Sequence, residues 1–165
     1  MLKSILILCA LFNTATTGVI AQSVVHVEPS HLQGPRPLQE QTETASIRDY
    51  LQSWKSIRAA LDQNRAELLA PYFVGTAKQK LTDTILNQTS LGLHTRYVDH
   101  EHDLQIVFYS PEGLSIEILD NVQYDEQILD QKKVIATQHM NARYIVVLTP
   151  TEVRWKVRVF QASPE

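Results

Sequence analysis

Cysteine is almost missing from this 165-residue sequence: its one thiol, Cys9, lies inside a short apolar run near the start. A folded part without cysteine has no disulfide, no thiolate metal centre and no thiol nucleophile, so core packing must supply its stability. Glycine is also scarce. The five glycines form no phosphate-cradling loop, and Gly-x-Ser-x-Gly does not occur, which removes nucleotide binding and serine-nucleophile chemistry. No motif calls for a cofactor. Basic charge is not in excess, with 15 Lys and Arg against 18 Asp and Glu for a net charge of −3, whereas a nucleic-acid-binding domain is expected to be basic. No internal repeat or heptad array is present.

Long apolar runs are missing too, and the longest one has a different meaning. Lys3 is the sole charged side chain before Glu28, and it precedes Ile5 to Phe12 and a polar stretch ending Val19-Ile20-Ala21. A positive start, a short apolar segment and a small-residue cleavage site mark a secretory signal peptide over residues 1–21. Asn13, Thr14, Thr16 and Thr17 interrupt the run well short of the roughly 20 apolar residues a spanning helix needs; a retained anchor is the alternative. A lipid-modified cysteine is disfavoured, because Leu8 is too bulky before Cys9 and Cys9 comes too early. Cleavage after Ala21 removes Cys9 and Lys3, changing the net charge from −3 to −4. The sequence thus predicts a secreted or periplasmic protein that does not span a membrane after cleavage.

Residues 22–45, with Pro29, Pro35, Pro37 and Gly34, read as a flexible linker, with Val24, Val25 and Val27 as an alternative edge strand. From Ser46, placed as an N-cap with Asp49, the residues Ile47, Tyr50, Leu51, Trp54, Ile57 and Leu61 recur at helical spacing. A short second helix carries Leu68 and Leu69 and stops at Pro71. A third begins at Gly75-Thr76, turns Ala77, Leu81, Thr84, Ile85 and Leu86 inward, and ends near Gly92.

Beyond Leu93 the period becomes two. Leu104, Ile106 and Phe108 share one face; Ser110 to Gly113 is a turn; Leu114, Ile116 and Ile118 follow, and Asp120-Asn121 is expected to bend or bulge the strand. After a turn over Asp130 to Lys133, the stretch Tyr144 to Leu148 is apolar on both faces, as in a central strand. In the last strand Val153, Trp155, Val157 and Val159 alternate with Arg154, Lys156 and Arg158. Helices first and an antiparallel sheet of four to five strands afterwards give an α+β domain with the helices on one sheet face.

The order of elements, the junction Leu69-Ala70-Pro71-Tyr72-Phe73-Val74-Gly75 leading to Ala77 and Leu81, and the closing Trp155-Lys156-Val157 strand resemble the nuclear transport factor 2-like, or SnoaL-like, superfamily. More narrowly, the Phe73-Val74-Gly75-x-Ala77 junction, the segment from Tyr97 to His102 and the terminal pair from Tyr144 to Trp155 look like the IMS-type domain of plastid and cyanobacterial division proteins. The resemblance covers residues 46–161 and implies a cone, a bent sheet wrapped round helices. It implies two kinds of function: isomerases, dehydratases and hydrolases with Asp, Tyr or His at the base of the cone, and interaction modules such as the IMS-type members.

Tyr97, His102, Tyr109, Asp120, Tyr124 and His139 are the polar-tipped candidates for such a pocket, where a tyrosine or histidine can stabilise an oxyanion and a desolvated aspartate can act as base. The alternative is that they are ordinary core-edge residues. His100 and His102, two apart on a strand, are expected to face the same side, a start on a His/His/carboxylate metal site that lacks a nameable third ligand; solvated charge is the alternative. Arg154, Lys156 and Arg158 form a basic stripe that can dock an acidic surface or anionic headgroups, or can simply guard an edge strand. With a full fold pattern and no catalytic constellation, the sequence points to an exported, cofactor-free domain that binds an unidentified protein or small apolar ligand, or its own copy through the sheet. A small-molecule lyase, isomerase or hydrolase is the rival reading.

Overall fold

A computed structural model describes residues 23–30, 32 and 34–163, so the expected signal peptide lies outside the described residues. The elements in chain order are β1 (Val24–Val27), α1 (Glu40–Gln63), a 3-10 turn (Ala66–Leu69), α2 (Gly75–Ser90), β2 (Leu93–Tyr109), β3 (Ile116–Asp130), β4 (Lys133–Pro150) and β5 (Trp155–Ala162). The strands make one sheet in the order β1-β2-β3-β4-β5. β1 runs parallel to β2 and the other neighbours are antiparallel. No helix among the described residues is long and apolar enough to cross a membrane.

α1 buries Tyr50, Ser53, Trp54, Ile57, Ala60 and Leu61, the three- and four-residue spacing that lays one helical stripe on a sheet. It ends at Asn64, which takes the left-handed conformation (φ 54) and lets Arg65 N–H reach back to Ala60 O at 2.9 Å. α2 buries the narrower stripe Ala77, Ile85 and Gln88. Its Leu86, expected inward, is 60% exposed, because one residue beyond Ile85 turns about 100° round the helix, off the stripe. Both helices pack on the sheet face formed by Leu104, Ile106, Ile116, Ile118, Val122, Tyr124, Val146, Leu148 and Val157.

In the region read as a linker the structure takes the alternative, an edge strand, and a longer helix follows it. Val24–Val27 pairs with Glu101 to Leu104, and Glu28 N–H extends the ladder to Leu104 O at 2.8 Å. α1 starts at Glu40, upstream of Ser46, with Glu40 and Glu43 in its first turn, where carboxylates complement the helix dipole. Ser46 is no cap; it is fully buried within α1 and donates to Glu43 O.

Three of the four bulges in the ladders re-aim side chains in ways that strict alternation does not foresee, the fourth being at Ile135 of β4. His100 is the extra residue between Asp99 and Glu101 of β2, so Asp99 and His102 both point inward. Val107 is the second, which turns Phe108 outward (47% exposed) and gives its expected place to Tyr109, opposite Ile116. Arg158 is the third: Val157 faces Leu148 inside, Val159 opposes Val147, and Phe160 rather than Val159 returns to the core. Val153 and Leu114, also expected inward, are 78% and 62% exposed in turns. Asp120-Asn121 makes no bulge. Asp120 holds regular pairing with Leu104 and Tyr144, and the hydrogen bonds its carboxylate finds inside offset its poor strand preference.

Candidate functional site

Tyr50, Trp54 and Arg58 follow one another at four-residue intervals on α1, so all three side chains line the face turned to the sheet. Beneath them lie Asp99 and His102 on β2 and Asp120 on β3. A single carboxylate oxygen, Asp120 Oδ2, accepts from Tyr50 Oη at 2.6 Å, His102 Nδ1 at 2.9 Å and Trp54 Nε1 at 3.2 Å. The Trp54 N–H is shared with Tyr50 Oη at 2.6 Å. On the other side of the imidazole, His102 Nε2 lies 3.9 Å from Asp99 Oδ2, which also receives Arg58 Nη1 at 2.9 Å. Two buried carboxylates thus face one buried imidazole and the guanidinium of Arg58, whose side chain is 40% exposed and reaches in from the surface. Asp99 Oδ1 and Asp120 Oδ1 are buried without a hydrogen-bond partner.

Burial by itself pushes the His102 imidazole down, but hydrogen bonds and charge from Asp120 and Asp99 outweigh it and raise the group to about 9. At neutral pH His102 is therefore an imidazolium, a donor and not a base. Burial, reinforced by the Asp120 carboxylate, drives the Tyr50 hydroxyl well above its ordinary value. His102 is 1% exposed, Asp120 and Tyr50 are 0%, and Trp54 is 2%. Above them the Trp54 ring is packed on all sides, with ring centres of His102 at 5.0 Å, Phe160 at 5.7 Å, Tyr144 at 5.8 Å, Tyr124 at 5.9 Å and Tyr97 at 6.2 Å. Tyr144 stacks on Phe160 at 4.5 Å, and its hydroxyl meets that of Tyr124 at 3.1 Å. Burial also raises the Tyr97, Tyr124 and Tyr144 hydroxyls.

Of the six pocket candidates, the fold gathers Tyr97, His102, Asp120 and Tyr124 around Trp54 and leaves two elsewhere. Tyr109 lies by the β2–β3 turn with the Arg36 guanidinium 5.5 Å from its ring centre. His139 lies on the opposite face of the sheet, bonded through Nδ1 to Asp125 Oδ1 at 2.9 Å. The expected His100/His102 pair is overturned by the bulge at His100, which leaves His102 inside and turns His100 out toward Asp125. Sequence reasoning passed over Arg58 and read Tyr50 and Trp54 as core alone, not as members of a polar site. The signal for Arg58 was a cation four residues beyond Trp54, in line with the apolar stripe of α1.

The basic stripe is half committed to the fold. The Arg154 guanidinium lies 4.7 Å from the Tyr72 ring centre and Lys156 Nζ donates to Ala70 O at 3.0 Å, while the Arg158 side chain is exposed. The free edge of β5 takes up the segment after the 3-10 turn, with Val157 N–H donating to Tyr72 O at 2.8 Å and Val74 N–H to Val157 O at 2.9 Å. Beside it runs an open cleft of about 370 Å³ lined by Pro71, Thr151, Glu152, Val153, Arg154 and Lys156. A second, of about 450 Å³, lies along the start of α1 between Glu40 and Arg48. Neither reaches His102 or Asp120.

Neither a protein-family model nor a curated protein matches the sequence. Solved structures do. The intermembrane space region of the chloroplast protein ARC6 superposes with a TM-score of 0.64 at 15% identity, covering 79% of this chain and 100% of that one. A putative scytalone dehydratase from Novosphingobium aromaticivorans gives 0.53 at 14% identity, over 76% of this chain and 89% of that one. A putative dehydratase of the NTF2-like family from Streptomyces avermitilis gives 0.51 at 9% identity, over 74% and 98%. Likeness at these identities speaks for architecture alone. The chain has the nuclear transport factor 2-like fold, an α+β architecture shared by dehydratase-like proteins and by the ARC6 region.

Proposed function

We propose that this chain is an exported binding domain, and that it meets an acidic protein segment at Arg154, Lys156 and Arg158 beside the cleft at Pro71. The observation that carries the reading is the sealed interior. Tyr50, His102, Asp120 and Tyr124, where acid–base chemistry would be sought, lie at 0–2% exposure beneath Trp54, with the half-buried Tyr97 at their margin. A general base must reach its substrate and be free to accept a proton near neutral pH; His102, held protonated between two aspartates, has neither property. The aromatic packing round Trp54 likewise supports a working surface on the exterior over a small-ligand site in the cone.

The test is affinity capture from the exported fraction with the native protein and with an R154E/R158E double variant, each partner then being purified and titrated directly. The double variant is expected to lose its partner; an unchanged set of partners with unchanged affinity removes the basic rim from the proposal. Sedimentation of the same two proteins tells whether the partner is a second copy meeting the sheet. Sequencing the N-terminus of the released protein tests export, with a start at Gln22 expected.

One observation favours the rival enzyme reading: Asp99 Oδ1 and Asp120 Oδ1 are both buried without partners, spare acceptors beside a protonated histidine. If Trp54 swings aside for a substrate, a lyase or isomerase site is assembled. Turnover of any hydroxylated or carbonyl substrate that disappears in D120N would establish that reading in place of the first.

A further inference from the structure

We infer that His100, Asp125 and His139 form a binding site for a divalent transition-metal ion of the zinc or copper class, on the sheet face opposite the helices. The site owes its existence to the bulge in β2. His100 is the unpaired extra residue there, so it leaves the alternation that sends Asp99 and His102 inward and leans over β3. Asp125 stands on β3 directly opposite both Val98 of β2 and His139 of β4. Three neighbouring strands, locked by their ladders, thus each present one donor on one patch of surface.

The donor geometry is close to what a metal requires. His100 Nε2 lies 3.0 Å from Asp125 Oδ2 and His139 Nδ1 lies 2.9 Å from Asp125 Oδ1, and the ligand atoms all fall within 4.8 Å of one another. A zinc ion holds nitrogen and oxygen donors at about 2.0–2.2 Å, which puts tetrahedral donors roughly 3.3–3.5 Å apart. The carboxylate-to-imidazole spacings need to open slightly, and the two imidazoles, 5.9 Å apart between ring centres and tilted by 33°, need to close by a small rotation. Their exposure, 43% for His100 and 62% for His139, leaves them free to do so. Two imidazoles and one carboxylate select borderline ions such as zinc, copper and nickel over calcium or magnesium, which want oxygen alone. Three protein donors leave the remaining position to water.

Among the described residues one other group has comparable spacing, His26, Glu28 and Asp103 on β1 and β2, and it serves as the internal control. Tag-free protein purified without chelator is titrated calorimetrically with zinc chloride. Binding of one zinc is expected, weakened at least about tenfold in H100A, D125N and H139A and unchanged in H26A. With copper, electron paramagnetic resonance is expected to show two imidazole nitrogens in the native protein and one in H139A. Failure of the native protein to bind, binding by H100A or H139A as tight as that of the native protein, or loss in H26A overturns the assignment. Circular dichroism checks that each variant folds. Should one misfold, zinc protection of His100 and His139 from diethylpyrocarbonate in the native protein decides the matter, and unprotected histidines refute it.

Discussion

Alkaline pH should unfold this protein earlier than its surface chemistry suggests, and His102 is the reason. In the unfolded chain its imidazole titrates near its ordinary value of 6.5; in the fold Asp120 and Asp99 hold it at about 9. The native state therefore binds more protons between these two values, so stability is fully present below about pH 6.5 and is lost as pH rises through 9. A difference of about 2.5 units at 1.36 kcal/mol each is on the order of 3 kcal/mol. Surface screening does not dilute it, since the side chain is only 2% exposed. For a domain of this size that corresponds to a fall of roughly 10 °C in Tm between pH 6 and pH 9.5. The raised tyrosines act in a separate window, because a hydroxyl held neutral in the fold costs stability only above about pH 10, where the unfolded chain ionises. Urea unfolding at half-unit pH steps, for the native protein and for H102Q, isolates the histidine as the difference between the two curves. Equal pH slopes for the two proteins from 6.5 to 9 would refute the reasoning. If H102Q does not fold, the His102 ring-proton titration followed by NMR is expected to centre near 9, and a midpoint near 6.5 refutes it equally.

Tyr50→Phe removes the donor at 2.6 Å from Asp120 and the acceptor of the Trp54 N–H, so urea unfolding should show a loss of about 1–3 kcal/mol with the m-value kept. Trp54→Ala empties the centre of the aromatic cluster, at a cost of roughly 3–5 kcal/mol; indole added to this variant should raise its Tm, whereas no effect on the variant would mean that the cone collapses. Gly113→Ala meets both a left-handed φ of 75° and a methyl position 2.7 Å from Arg36 Nη1 and 3.0 Å from Tyr109 Oη, so a loss of about 1 kcal/mol or more is expected in thermal unfolding.

Periodicity carried the sequence reading wherever one residue follows the next without interruption. The stripe Tyr50, Trp54, Ile57, Leu61 marked α1, the stop at Pro71 ended the 3-10 turn, and the turns at Gly113 and Gln131, with Gly92 closing α2, set out the strands. These are local preferences, decided within a turn of helix or a few residues of strand, and together with the junction at Phe73-Val74-Gly75 they sufficed for the α+β class and the nuclear transport factor 2-like architecture.

What only the tertiary structure decided depends on single added residues and on partners far along the chain. A bulge changes side-chain parity without leaving a compositional mark, so Asp99 joining His102 inside, His100 turning out to Asp125, Phe108 yielding to Tyr109 and Val159 yielding to Phe160 could not be read from alternation. β1 gains its ladder only from β2, more than seventy residues later in the chain. The buried network needs the same long-range contact: Asp120 is a poor strand residue until Tyr50, Trp54 and His102 reach it from two other elements. The amino-acid sequence by itself determined the elements, the lack of any cysteine beyond Cys9 and the lack of a phosphate-cradling glycine pattern; the packing of α1 on β2 and β3 determined that His102 and Asp120 are buried against each other, because burial and hydrogen-bond partners are properties of the whole fold.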